Sequence, residues 1–265
     1  MILETITILG LFFFGATLLL YFFQAGMIFF PQPTALGNQA RYAAHAISVR
    51  HGDVTLSGWF FNNEIDPRHP LIVYYGGNAE DVSLNFTDLE RFATRSFLFM
   101  NYRGYGHSTG RPSERALLDD AVFVFDHVMA TEGIDPAHVV LMGRSLGAGV
   151  AVHVAATRTV GGIILVTPFD SLVNVARVHY PIFPVGWMLK HRFESAALAP
   201  DIATPALFLS ASHDQVVPAR LTRNLERVWG GLATTVTVQG TDHNSIQTSP
   251  AYWAAVNAYL ESRVQ

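Results

Sequence analysis

The stretch LMGRSLGAGVA, residues 141–151, sets one serine, Ser145, among Gly143, Gly147, Ala148 and Gly149, directly after an apolar run. Glycine is used where backbone turns sharply or packs closely, so the stretch reads first as a tight strand-to-helix turn. It also reads as G-x-S-x-G, from Gly143 to Gly147, between a predicted strand at 138–142 and a helix opened by LGAGVAVHVAA. A nucleophile on such an elbow sits on strained backbone, and its neighbours two positions either side must be small. The helix that follows aims its first amides at any negative charge developing there. Whether Ser145 is a turn residue or a nucleophile depends on partners elsewhere in the chain.

Working outward, short apolar runs recur at 70–75, 96–101, 161–168, 205–212 and 234–240, each followed by loop-forming residues. Such runs are buried strands. Residues 45–61 predict an antiparallel entry hairpin turning at Gly52-Asp53. Between the runs lie helical patterns. One spans 113–133, with Leu117, Leu118, Ala121, Val122, Phe125 and Val128 at helical spacing and a stop at Gly133. Others cover 220–229 and 249–263. Strands alternating with helices predict an α/β fold with a mainly parallel sheet covered on both faces. Ligands of such sheets bind beyond the carboxyl ends of the strands. The loops after the strands are therefore where chemistry is expected.

A chain of 265 residues, half of them hydrophobic, suits one large domain better than two. The formal net charge is −4 and the only lysine is Lys190, so there is no basic stripe for nucleic acid. With no cysteine, disulfides, zinc–thiolate sites and cysteine nucleophiles are excluded. No cofactor motif is present and no metal is required; the oligomeric state is not indicated.

Residues 5–30 carry no charge, and Gln24 is the most polar among them. As a helix they extend about 39 Å, more than the ~30 Å hydrocarbon core of a bilayer. A cleaved signal peptide would have a basic start and small residues at its cleavage site. Here Glu4 is the only charge before the run. The expectation is a retained single-pass anchor, residues 1–30, before a catalytic domain at 31–265. Its orientation is weakly specified, because Arg41 and Arg50 lie well past the run. If the anchor serves only as a tether, the site forms without it.

A serine hydroxyl needs a base, and the base needs an orienting carboxylate. Of eleven histidines, His243 lies in the loop between the last predicted strand and the C-terminal helix. Three acids compete for the third role. Asp242 adjoins His243 and fits a turn cap; Asp170 follows the strand at 162–167; Asp214 follows the strand at 205–210. The order Ser145, Asp214, His243, on three post-strand loops, favours Asp214, with Asp170 as second choice. An oxyanion hole needs two backbone N–H donors. Leu146 supplies one, and Asn78, after Gly76-Gly77, is the expected second.

The segments GGNAEDVS, NYRGYGHSTGRPSE, GRSLGAGVA, TPFDSLVNVARVHYPIFPV and SHDQVVP with GTDHN resemble the α/β-hydrolase superfamily. The resemblance runs from about residue 28 to the C-terminus. It is nearest to the small membrane-anchored members, a group including protein depalmitoylases and monoacylglycerol or lysophospholipid lipases. It implies an α/β-hydrolase fold with a short lid insertion, Ser145 as nucleophile, Asp214 and His243 as its partners, and the Asn78 and Leu146 amides as oxyanion donors. Two positions depart from the common pattern. Gly76 stands where relatives often have histidine, which is expected to loosen the oxyanion loop. Asn101 stands where many have aspartate, which removes a charge near Arg103.

The insertion at about 170–200 is apolar and aromatic, with Tyr180, Phe183, Trp187 and Met188 as candidate pocket and lid residues and Lys190, His191 and Arg192 in one cluster. It reads either as helix packed on the sheet with solvated cations or as a cap meeting a bilayer, its cations near head groups. An apolar pocket beneath favours lipid-like acyl chains. The expected activity is hydrolysis of carboxylic esters or thioesters at a membrane. A serine peptidase and a non-catalytic binding protein on the same fold are the alternatives.

Overall fold

A computed structural model of the chain describes residues 1–63, 69–94 and 96–262. The entry hairpin pairs β1 (Ala46–His51) with β2 (Val54–Phe61) around Gly52. Strands β3 (Leu71–Tyr75), β4 (Ser96–Met100), β5 (Val139–Arg144), β6 (Gly162–Val166), β7 (Ala206–Ala211) and β8 (Ala233–Val238) complete one sheet. Its order is β1-β2-β4-β3-β5-β6-β7-β8. Pairings from β4 to β8 are all parallel, and the two outer pairings on the β1 side are antiparallel. The mainly parallel sheet of an α/β-hydrolase fold is therefore present.

Each apolar run forms a strand because it can bury both of its faces, and side chains alternate with period two. On β5, Val139 and Leu141 enter one core while Val140 and Met142 enter the other. On β6, Ile163 and Leu165 likewise oppose Ile164 and Val166. The helices are α1 (Ile2–Ile28), α2 (Leu36–Arg41), α3 (Glu114–Glu132), α4 (Leu146–Thr157), α5 (Leu172–His179), α6 (Val185–Met188), α7 (Ser195–Leu198), α8 (Ala219–Arg227) and α9 (Pro250–Glu261). Residues of α3, α4 and α8 fill the first core and residues of α9 the second. The boundaries of α3 follow from its ends. Ser113 accepts a hydrogen bond from the Ala116 N–H, and Gly133 closes the helix at φ 67°.

Helix α1 is the one described helix long and apolar enough to cross a membrane. Most of it projects from the domain, but its last turns do not. Phe29 is buried in the first core, with Ala25 and Ile28 packed against it. The cap between β6 and β7 consists of α5, α6 and α7, and α6 faces the end of α1. The Met188 carbonyl accepts from Gln24 Nε2 at 3.2 Å, and the Lys190 N–H donates to Gln24 Oε1 at 2.6 Å. A simple division into anchor and catalytic unit at residue 30 thus cuts through a packed contact.

Candidate active site

Ser145 lies between β5 and α4 at φ 52° and ψ −115°. Such a backbone is strained for any residue but glycine, and it persists only where its surroundings hold it. The Ser145 N–H donates to the Val166 carbonyl at 2.9 Å. The flanking glycines are dictated by close approach. A Cβ at Gly143 would strike the Gly147 carbonyl oxygen, and one at Gly147 would strike that of Tyr75. The small residues of the opening stretch therefore do both things at once: they let the turn close and they leave the Ser145 hydroxyl at the sheet's edge.

The loops after β7 and β8 bring two further groups to it. His243 Nε2 lies 3.0 Å from Ser145 Oγ, and His243 Nδ1 lies 2.8 Å from Asp214 Oδ2. A carboxylate only accepts hydrogen bonds, so the proton sits on Nδ1 and the Nε2 lone pair faces the serine. Asp214 is fixed in turn, because its other oxygen accepts the Val216 and Val217 N–H groups at 2.9 and 2.7 Å. Its carboxylate is 1% exposed. The arrangement can take a proton from Ser145 and return it.

The competing acids have other partners. Asp170 is buried and accepts from the Ser171 N–H and from the side-chain amides of Asn174 and Asn224. It braces the start of the cap. Asp242 accepts from the Asn244 and Ser245 N–H groups and the Ser245 hydroxyl, a local turn cap as expected. These contacts hold its carboxyl below the usual carboxylate range, the Ser245 hydroxyl most of all.

Leu146 opens α4, where N–H groups lack intrahelical partners. Across from it, the loop Gly76–Glu80, expected to be loosened by Gly76, carries hydrogen bonds along its length. Tyr102 donates to the Gly76 carbonyl, the Gly77 N–H to Glu80 and the Asn78 side-chain amide to the Ile28 carbonyl. The Asn78 carbonyl accepts from the Tyr105 hydroxyl and the Phe30 N–H. Five hydrogen bonds thus hold this loop. The charge expected to be missing beside Arg103 is provided by Asp120, which its guanidinium grips with two bonds.

One feature of the site has no motif. Glu80 is the common acceptor for Tyr74, Asn85 and the Gly77 N–H, each at 2.7 Å, and lies 3.4 Å from Arg144. Arg144 also reaches the His243 carbonyl and Asn244 Oδ1, both at 3.2 Å. The pair ties the Gly76–Glu80 loop, the turn at Ser145 and the His243 loop together. Burial opposes the Arg144 charge, but Glu80 together with Tyr74 and Tyr252 outweighs it, so its pKa is raised; burial and then Glu80 push the Tyr74 hydroxyl up. Glu80→Gln turns an acceptor-only group into one that confronts donors. It is expected to lower stability by about 3 kcal/mol, read as a lower urea midpoint at constant slope. An unchanged midpoint would remove Glu80 from this role.

A cavity of about 710 Å³ contains Ser145 and His243. Its walls include Asn78, Leu146, Tyr180 and Met188, together with Leu20, Gln24, Met27 and Ile28 of α1. Phe183 and Trp187, expected in the pocket or its lid, lie on the cap outside this cavity. Phe183 stacks on Phe13 of α1 at 5.3 Å, and Trp187 is 85% exposed. The short helix α6 has one face inward, occupied by Val185 and Met188, which leaves Trp187 pointing out. Sequence reasoning missed the α1 contribution. The available signal was Gln24, an isolated amide in an uncharged run.

The chain is similar to several known proteins. A family model described as TAP-like protein matches residues 183–263. An uncharacterized protein of Mycobacterium tuberculosis is 31% identical over 247 residues, spanning 91% of this chain and 88% of that one. The lysophosphatidylserine lipase ABHD12 of Rattus norvegicus is 30% identical over 191 residues, 64% of this chain and 48% of that one; the match spans about half the lipase. Among solved structures, a Pyrococcus furiosus esterase gives a TM-score of 0.68 at 15% identity, covering 90% of this chain and 100% of that one. A Paleococcus ferrophilus monoacylglycerol lipase gives 0.59 at 18% identity, covering 78% and 99%. At those identities the likeness is one of fold.

Proposed function

From the chain's membership of the α/β-hydrolase superfamily, we propose that it is a membrane-anchored serine hydrolase cleaving ester or thioester bonds of lipid-like acyl substrates. The observation that carries this is the continuous relay from Asp214 through His243 to Ser145, with contacts of 2.8 and 3.0 Å. Ser145 Oγ attacks the acyl carbonyl as His243 Nε2 takes its proton. Asp214 holds the Nδ1–H tautomer and stabilises the imidazolium. The Leu146 and Asn78 N–H groups receive the oxyanion. The tetrahedral intermediate expels the alcohol or thiol, which leaves with the proton from His243, and the acyl group stays on Ser145. Water, deprotonated by His243, then releases the acid and restores the serine. No metal or cofactor enters the scheme.

Two observations support lipid-like substrates: the aliphatic lining of the cavity and its contact with an apolar helix long enough to span a bilayer. The lipase and esterase among the similar proteins agree with that chemistry. We assign residues 1–30 to the anchor and 31–265 to the catalytic unit, with the cap at about 170–200. The experiment is a turnover screen of esters, thioesters and amides of graded chain length, combined with fluorophosphonate labelling. Esters or thioesters above amides, with labelling at Ser145, is the expected result. No turnover and no labelling would leave a binding protein.

Asn78 donates from its side-chain amide to the Ile28 carbonyl and accepts at its own carbonyl from the Phe30 N–H, which changes what removal of the anchor should do. A protein beginning at Pro31 is expected to turn over a soluble acetyl ester at least about tenfold more slowly, because small displacements of catalytic groups are costly. Equal turnover in a folded protein would show that the segment only tethers.

A further inference from the structure

The last turns of α1 meet the cavity along one helical face, since Leu20, Gln24, Met27 and Ile28 are spaced by four, three and one. Gln24 is the only residue of α1 that is buried, at 7% exposure. A buried amide is costly unless its groups are paired, and this one is fully used. Nε2 donates to the Met188 and Tyr21 carbonyls and Oε1 accepts the Lys190 N–H. The end of α6 that it grips carries Met188 and Leu189, which line the same cavity. Further contacts close the seam on either side: Lys190 Nζ lies 4.1 Å above the Tyr21 ring, and Phe13 stacks on Phe183.

We propose that the end of α1 is a wall of the acyl site, with Leu20 and Met27 setting the chain length accepted and Gln24 latching the cap across the chain. This rests on the serine hydrolase reading above. Leu20 and Met27 present flexible apolar side chains on the same cavity wall as the latch, in the cavity that contains Ser145. An acyl chain bound to the serine then runs between the cap and the anchor helix, and its length is sensed by residues of the anchor itself. Gln24 acts on the substrate through Met188 and Leu189, as a positioning residue.

The test uses the full-length protein in detergent micelles with p-nitrophenyl acetate and p-nitrophenyl dodecanoate. In Leu20→Trp and Met27→Trp the added ring fills the wall, and the dodecanoyl-to-acetyl ratio of kcat/KM is expected to fall at least tenfold. Met27→Ala enlarges the cavity and is expected to raise the dodecanoyl-to-acetyl ratio, which gives a readout in the opposite direction. Leu19→Trp, on the exposed face of α1, is expected to keep the wild-type ratio. Gln24→Leu removes the latch without changing the apolar character of the helix, and its KM for the dodecanoyl ester is expected to rise at least fivefold, more than any fall in kcat. A chain-length profile unmoved by all three wall substitutions, in protein that fluorophosphonate still labels, would overturn the assignment to α1 alone. Wild-type protein that neither labels nor turns over either ester would overturn the serine chemistry, and this assignment with it.

Discussion

Ser145→Ala is expected to abolish fluorophosphonate labelling and to lower ester turnover by about 10⁴-fold or more, the usual cost of removing a member of a unit that acts together. The fold should survive. The hydroxyl has His243 as its hydrogen-bond partner, and the Cβ that alanine retains already occupies the strained backbone at φ 52°. Circular dichroism and the thermal midpoint should therefore match wild type while turnover disappears. The comparison with Ser145→Gly sharpens this. Glycine tolerates positive φ, so that variant should be inactive too but more stable by about 1 kcal/mol. Alanine protein with more than a tenth of wild-type turnover would remove Ser145 from the chemistry.

Asp214→Asn should be nearly as damaging, for a reason the hydrogen bonds make explicit. The Val216 and Val217 N–H groups require an acceptor at Oδ1, so the asparagine carbonyl must stay there. Its amino group then faces His243 Nδ1, which must accept. The imidazole proton is driven to Nε2, and the ring can no longer take the serine proton. A loss of about 10⁴-fold in kcat is expected from that tautomer reversal. Asp170→Asn should cost less than about tenfold in kcat. Its contacts are with Ser171, Asn174 and Asn224 rather than with His243, so its effect should fall on stability. If Asp170→Asn is the more damaging of two folded variants, the acid of the relay is misassigned.

The sequence by itself determined the strands, the helices that cover them and the loops that carry the candidate relay. That information is local. A run such as residues 139–142 can bury both faces only inside a covered sheet, and glycines two positions either side of Ser145 are needed wherever an elbow closes this tightly. Adjacency to His243 then set Asp242 apart from Asp214, because a residue beside the base is held by its own turn.

Tertiary structure alone decided what meets across the fold. Apart from Gln24, nothing in residues 5–30 distinguishes the exposed turns of α1 from the docked ones, since composition reports hydrophobicity and not a partner. Gln24 was visible, but its use depends on the carbonyl of Met188 and the N–H of Lys190, more than 160 residues away. The same holds for Glu80, whose four partners include one supplied by β5. Phe183 and Trp187 lie on the cap but outside the cavity, because a short helix has only one inward face, and which face that is follows from what it packs against. Long-range pairings of polar groups leave no period in a sequence, and here they fix the walls of the cavity and the rigidity of the loop opposite Ser145.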